Sequence, residues 1–191
     1  KLKTMKRAAA TDHGFGEACR STTSGIDLAH LRAVLQPAPQ RTVFVKDDGV
    51  GDEELTPASV LFPIVLRETG PSVLLTQRTE DLRDHPGQIS FPGGRVEPED
   101  ASPAHTALRE AREEIGLLEK HVEVIGYLPE YRTITGYRIM PVVAVGRPPF
   151  ALHPDPREVA EVFEAPLGFL LDSANHQQCS RHHLGNSPHR H

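Results

Sequence analysis

Three glutamates, Glu110, Glu113 and Glu114, stand at i, i+3 and i+4 in the run Arg109-Glu110-Ala111-Arg112-Glu113-Glu114-Ile115-Gly116-Leu117. A helix turns about 100° per residue, so their carboxylates lean to one side of it. Ala104, Leu108, Ala111 and Ile115 form a separate apolar stripe. Like charges at this spacing repel by roughly a few tenths of a kcal/mol per pair. Holding three of them together suits a cation. Oxygen-only ligands favour a hard ion such as Mg2+ or Mn2+ over zinc. The competing account of this helix alone is a solvated acidic face on which Arg109 pairs with Glu113.

The elements that must position these groups lie upstream. Val73-Leu74-Leu75, bounded by Gly70-Pro71, reads as a buried strand. A polar loop then leads to Phe91-Pro92-Gly93-Gly94, whose paired glycines permit unusual backbone angles and close approach to a ligand. Asp100 and Ser102 offer helix N-caps, Pro103 suits the first turn, and Gly116 falls where a left-handed helix stop is expected. The order is strand, polar loop, glycine turn, acidic helix, glycine stop. Each local signal agrees with the next.

Gly94, Asp100 and Arg109-Glu110-x-x-Glu113-Glu114-x-Gly116-Leu117 resemble the signature box of the Nudix hydrolases, Gly-x5-Glu-x7-Arg-Glu-U-x-Glu-Glu-x-Gly-U with U bulky and apolar. Asp100 replaces the first Glu, one extra residue precedes Arg109, and Ala111 is small. The run from Leu74 to Gly94 resembles the further motif of the coenzyme A diphosphatase branch, with Thr79 where Ser or Ala is usual. The resemblance extends from about Ser59 to Leu171. It implies an α/β/α sandwich with a mixed sheet and the signature loop-helix-loop at its active face. It also implies metal-dependent cleavage of a nucleoside diphosphate derivative, here coenzyme A or an acyl derivative. Other substrates (ADP-ribose, a dinucleotide, an oxidised nucleotide) and a non-catalytic nucleotide-binding regulator are the alternatives.

By the same resemblance, Glu110, Glu113 and Glu114 are metal ligands, Gly94 or Gly93 offers a carbonyl, and Arg109 orients the glutamates. Arg78, Arg83, His85 and Gln88 belong to the branch-specific run and are candidates for substrate phosphates. Glu158 is the candidate distal ligand or general base, with Glu161 as its competitor. For Thr135 and Tyr137, core or turn roles are preferred over lining the adenine or pantetheine pocket.

The 191 residues suit one domain with extensions. A net charge of −5, with no long Lys/Arg block, argues against a nucleic-acid surface. No apolar run approaches the roughly 20 residues of a membrane span. Cys19 and Cys179 form neither a disulfide framework nor a paired metal motif, and together with the lack of a secretory core they suggest a cytoplasmic protein. Residues 1–55 read as an extension, disordered to about residue 25 and with a short helix near 26–36. Residues 56–191 read as the Nudix domain, truncated or divergent at its end, where the family's Trp-bearing helix is expected and no Trp occurs. The first residue, Lys rather than Met, suggests a fragment. The histidine-rich end, from His176 to His191, lacks paired zinc-ligand spacing. A homodimer stays open.

Overall fold

A computed structural model describes residues 28–40, 44–47, 55–82 and 85–176. In chain order it contains α1 (Leu28–Val34), β1 (Phe44–Lys46), β2 (Thr56–Arg67), β3 (Gly70–Arg78), β4 (Ile89–Ser90), β5 (Gly93–Arg95) and α2 (Pro103–Ile115). It continues through β6 (Val122–Tyr127), β7 (Glu130–Arg132), β8 (Tyr137–Gly146), β9 (Val159–Pro166) and α3 (Leu167–Leu171). The strands make one mixed sheet. β2 pairs in parallel with β8 and antiparallel with β3 and β5, and β3 pairs antiparallel with β9.

Alternation along the strands produces the layers. Leu61, Val65, Leu74, Val142 and Ala144 join Ala107, Ala111 and Ile115 of α2 in one apolar cluster. Their neighbours Ile64, Val73, Leu75, Val143 and Val145 point the other way, toward Leu28, Leu31 and Leu35 from the α1 segment and Leu167 and Leu170 of α3. The result is the expected α/β/α arrangement. Among the described residues, no helix is long and apolar enough to cross a membrane.

The start and stop of α2 follow its sequence signals. Ser102 accepts a hydrogen bond from the His105 backbone N–H, Pro103 opens the helix, and Gly116 closes it at φ +70°. Asp100 does not serve as the cap. Two further elements differ from the sequence reading. Sequence alone suggests a last helical or loop element carrying Glu158, Glu161 and Glu164, but Glu161 and Glu164 lie on strand β9, because the edge of β3 supplies a ladder that local spacing does not reveal. A short strand, β1, also forms beside β7, inside the stretch that reads from sequence as an extension. The expected disorder of residues 1 to about 25 concerns positions outside the described residues.

Candidate active site

The glycine turn lets α2 lie against the sheet. In β5, Gly93 pairs with Val60 and Gly94 with Ser59. A Cβ on Gly93 would sit 2.4 Å from the Ser59 carbonyl oxygen, and one on Gly94 would sit 2.4 Å from Glu110 Oε1. A side chain at Gly93 would strike the backbone of β2, and one at Gly94 would have to push the Glu110 carboxylate aside, so the helix's acidic face meets bare backbone. The Gly93 N–H donates to Glu114 Oε2 at 3.3 Å.

Arg109 organises the other side of the helix. Its Nε and Nη2 donate to the two oxygens of Asp100 at 3.1 and 3.0 Å, and Nη2 also reaches the Arg95 carbonyl. Its Nη1 donates to Glu110 Oε1 at 2.9 Å and to Glu113 Oε2 at 3.1 Å. Asp100 also accepts from Thr106 Oγ1 and from the Glu97 N–H, both at 2.9 Å. The Arg109 guanidinium, helped by these other donors, holds the Asp100 carboxyl well below the usual carboxylate range. The residue that replaces the first box Glu therefore anchors the arginine.

Glu110 and Glu114 face a cleft of about 460 Å3, and Glu158 lines it too. Burial, then the neighbouring Glu110 charge, pushes the Glu114 carboxyl up to about 8, with Glu158 adding to the rise. Burial also raises Glu110, against the pull of Arg109. Glu158 arrives by a pinned route. The loop after β8 donates from His153 N–H to the Ile115 carbonyl and from Asp155 N–H to the Glu114 carbonyl, each at 2.8 Å. These bonds fasten the loop to the end of α2, and the Thr79 N–H then holds the Glu158 carbonyl at 3.0 Å.

The structure divides the three box glutamates. Relative to Glu110, Glu114 is about 40° further round the helix and Glu113 about 60° the other way. Glu114 is buried, whereas Glu113 is half exposed, pairs with Arg109 and Arg112, and does not line the cleft. Arg109 is also outside the cleft lining. Among the described residues, no three acidic, histidine or cysteine side chains are already gathered closely enough to cage a metal.

Arg78, His85 and Gln88 line the same cleft, as do Gly93 and Gly94. The buried Nε of Arg78 has no hydrogen-bond partner among the described residues. His85 takes φ +56°, a left-handed conformation that costs a non-glycine residue about 1 kcal/mol, in a turn closed by the Gln88 N–H on its carbonyl. Arg83 lies outside the described residues, as do Cys19, Cys179 and the histidines beyond His176. Thr135 and Tyr137 both line the cleft, Thr135 from the turn that sequence favoured for it and Tyr137 from the start of β8 rather than from a core or turn position. Sequence reasoning passed over Arg95, Thr133 and Ile139, which line it as well. Only Arg95 carried a signal, its place directly after Gly94.

The chain is 47% identical over 114 residues to the uncharacterized Nudix hydrolase NudL of Enterobacter sp., a match covering 60% of this chain and 59% of that protein. Against the protein of the same name from Citrobacter koseri it is 44% identical over 130 residues, 68% of this chain and 67% of the relative. Two solved structures share the fold. One is a Nudix hydrolase from M. smegmatis, RenU (TM-score 0.52, 23% identity, 63% of this chain and 83% of that one). The other is a MutT protein from Methanosarcina mazei Go1 (TM-score 0.50, 22% identity, 64% and 84%). The NUDIX domain model matches residues 55–180, well over half of the sequence, and the chain belongs to that family.

Proposed function

We propose that this protein hydrolyses the phosphoanhydride of coenzyme A or its acyl derivatives with Mg2+ or Mn2+, giving 3′,5′-adenosine bisphosphate and 4′-phosphopantetheine. One observation carries the reading. Arg78, His85 and Gln88, from the run that resembles the coenzyme A branch, open onto the same cleft as Glu110, Glu114 and Glu158. A guanidinium matches phosphate oxygens as a planar fork. Arg78, whose charge is felt by Glu114, suits the diphosphate.

The donor set fits a hard divalent ion. Glu110 and Glu114 supply oxygens only, and their mutual repulsion in a buried site is what a cation would relieve. The proposed ligands are Glu110, Glu113, Glu114 and the Gly94 carbonyl. When bound, the metal neutralises the diphosphate and acidifies the attacking water. Arg109 keeps Glu110 and Glu113 in place through its bonds to both. Glu158 is proposed to accept the water proton or to serve as a distal ligand. Glu161 is exposed and outside the cleft lining, which favours Glu158 over it.

The test is a product analysis with Mg2+ or Mn2+ and a panel of coenzyme A, ADP-ribose, a diadenosine polyphosphate and an oxidised dGTP. Cleavage of coenzyme A to the two named products is expected. Turnover of ADP-ribose but not coenzyme A would move the substrate elsewhere. Binding without turnover, unchanged by Glu114→Gln, would make the domain a regulator. Wild-type turnover by Glu158→Gln would remove that residue from the mechanism.

A further inference from the structure

The cleft has an end that the proposed chemistry leaves unused. There β5, β2 and β8 lie side by side, and Ala58 of β2 is the register partner of both Arg95 of β5 and Ile139 of β8. Residues opposite one another on neighbouring strands share a face, as do positions two apart on one strand. Ala58, Ile139 and Tyr137 therefore make a continuous floor, and the small Ala58 side chain keeps it shallow. The Arg95 guanidinium lies 5.5 Å from the Tyr137 ring centroid. Its Nη2 donates to the Tyr137 hydroxyl at 2.7 Å. The hydroxyls of Thr133 and Thr135, 2.9 Å apart, stand at the same end.

This shelf already accepts a flat group on an aromatic face. A purine is also flat, and bases stack on tyrosine rings and on arginine planes alike. Phe91, the other aromatic residue at the cleft, is packed on Phe62 with ring centroids 4.8 Å apart and belongs to the cluster beyond the sheet. Tyr137 is thus the ring offered to a ligand. An apolar floor with a cation beside it suits a base joined to a phosphate better than it suits a phosphate alone.

We propose that Tyr137 and Arg95 form the nucleobase end of the cleft, directing the nucleoside toward β8 and the remaining moiety toward His85 and Gln88. This rests on the nucleoside diphosphate reading of the site. The probe is 1,N6-ethenoadenosine 5′-diphosphate with Mg2+, followed by fluorescence anisotropy. Tyr137→Ala removes the ring on which the base would stack and is expected to weaken binding about tenfold or more. Tyr137→Phe is expected to stay within about threefold. Arg95→Gln, at an exposed position, is expected to weaken binding several-fold. With coenzyme A, Tyr137→Ala is expected to raise KM while leaving kcat nearly unchanged.

Wild-type binding of the probe by Tyr137→Ala would overturn the proposal. So would equal weakening of ribose 5-phosphate used as a base-free competitor, since the residue would then act on phosphate. If the wild type fails to turn over coenzyme A while probe binding still depends on Tyr137, the substrate assignment falls and the base end stands. Coenzyme A turnover by Tyr137→Ala at wild-type KM has the opposite meaning.

Discussion

Asp100 and Glu114 are both buried carboxylates of the same loop-helix segment, with the Asp100 side chain 1% and Glu114 6% exposed. Their surroundings drive them in opposite directions. Asp100 receives two bonds from Arg109 and one each from Thr106 and Glu97, and stays ionised far into acid. Glu114 receives one long backbone bond while Glu110 and Glu158 crowd it, and its carboxyl rises to about 8. A buried charge needs donors or a counter-charge to offset lost hydration. Asp100 has been given both by the fold. Glu114 has been left short, at the wall of a cleft where a cation can enter. The difference separates a carboxylate that builds the site from one that is proposed to use it.

Three substitutions and two titrations would break or sharpen that contrast. Glu114→Gln is expected to lower turnover about a thousandfold, about 4 kcal/mol of transition-state stabilisation. Its urea midpoint at pH 7 should barely change, because a neutral amide replaces a largely protonated acid. Asp100→Ala should do the reverse in emphasis. It strands Arg109 and is expected to cost about 3 kcal/mol of stability by urea unfolding. Equal destabilisation by the two variants would erase the distinction.

The pH dependence carries the same signature. With the Glu114 carboxyl at about 8 in the fold and near its ordinary 4.5 when unfolded, the folded chain holds the extra proton. Metal-free stability should therefore fall as pH rises from about 5 to about 8, by on the order of a few kcal/mol. Asp100 acts with the opposite sign, its contribution being lost only in strong acid. With Glu114 as a proposed ligand, binding of Mg2+ or Mn2+ is expected to displace its proton. Calorimetric affinity should rise by up to about tenfold per pH unit below about 8 and then level off. A flat profile from pH 6 to 9 would remove Glu114 from the ligand set. The smallest effect belongs to Gly94→Ala. Its Cβ would meet the far end of the flexible Glu110 side chain, so the fold should survive within about 1 kcal/mol while turnover drops about tenfold.

Much of this scaffold is written locally. Ser102, Pro103 and Gly116 mark the ends of α2, and the alternating apolar residues of β2, β3 and β8 assign each side chain to a layer. The cleft was legible in part. Spacing brought Glu110 and Glu114 together, and the Leu74 to Gly94 run pointed to Arg78, His85 and Gln88. Spacing did not separate Glu113 from its neighbours, because a helical face is a broad arc and only the packing of α2 against the sheet decides which edge turns outward. Nor did it give Asp100 its task, since an N-cap and an arginine anchor look alike in one dimension.

By itself the sequence determined the acidic helix, its caps, the glycine turn and the family, all matters of short spacing and local backbone preference. The tertiary structure alone decided what meets across the cleft. Glu158 is carried there by a loop fastened to the last carbonyls of α2, and Arg95 meets Tyr137 only because β5 and β8 flank the same strand. Such contacts join residues about 40 positions apart in the chain, and no local rule encodes which distant strand edge a segment will find. The neighbours that set Asp100 and Glu114 apart are likewise a property of the closed fold.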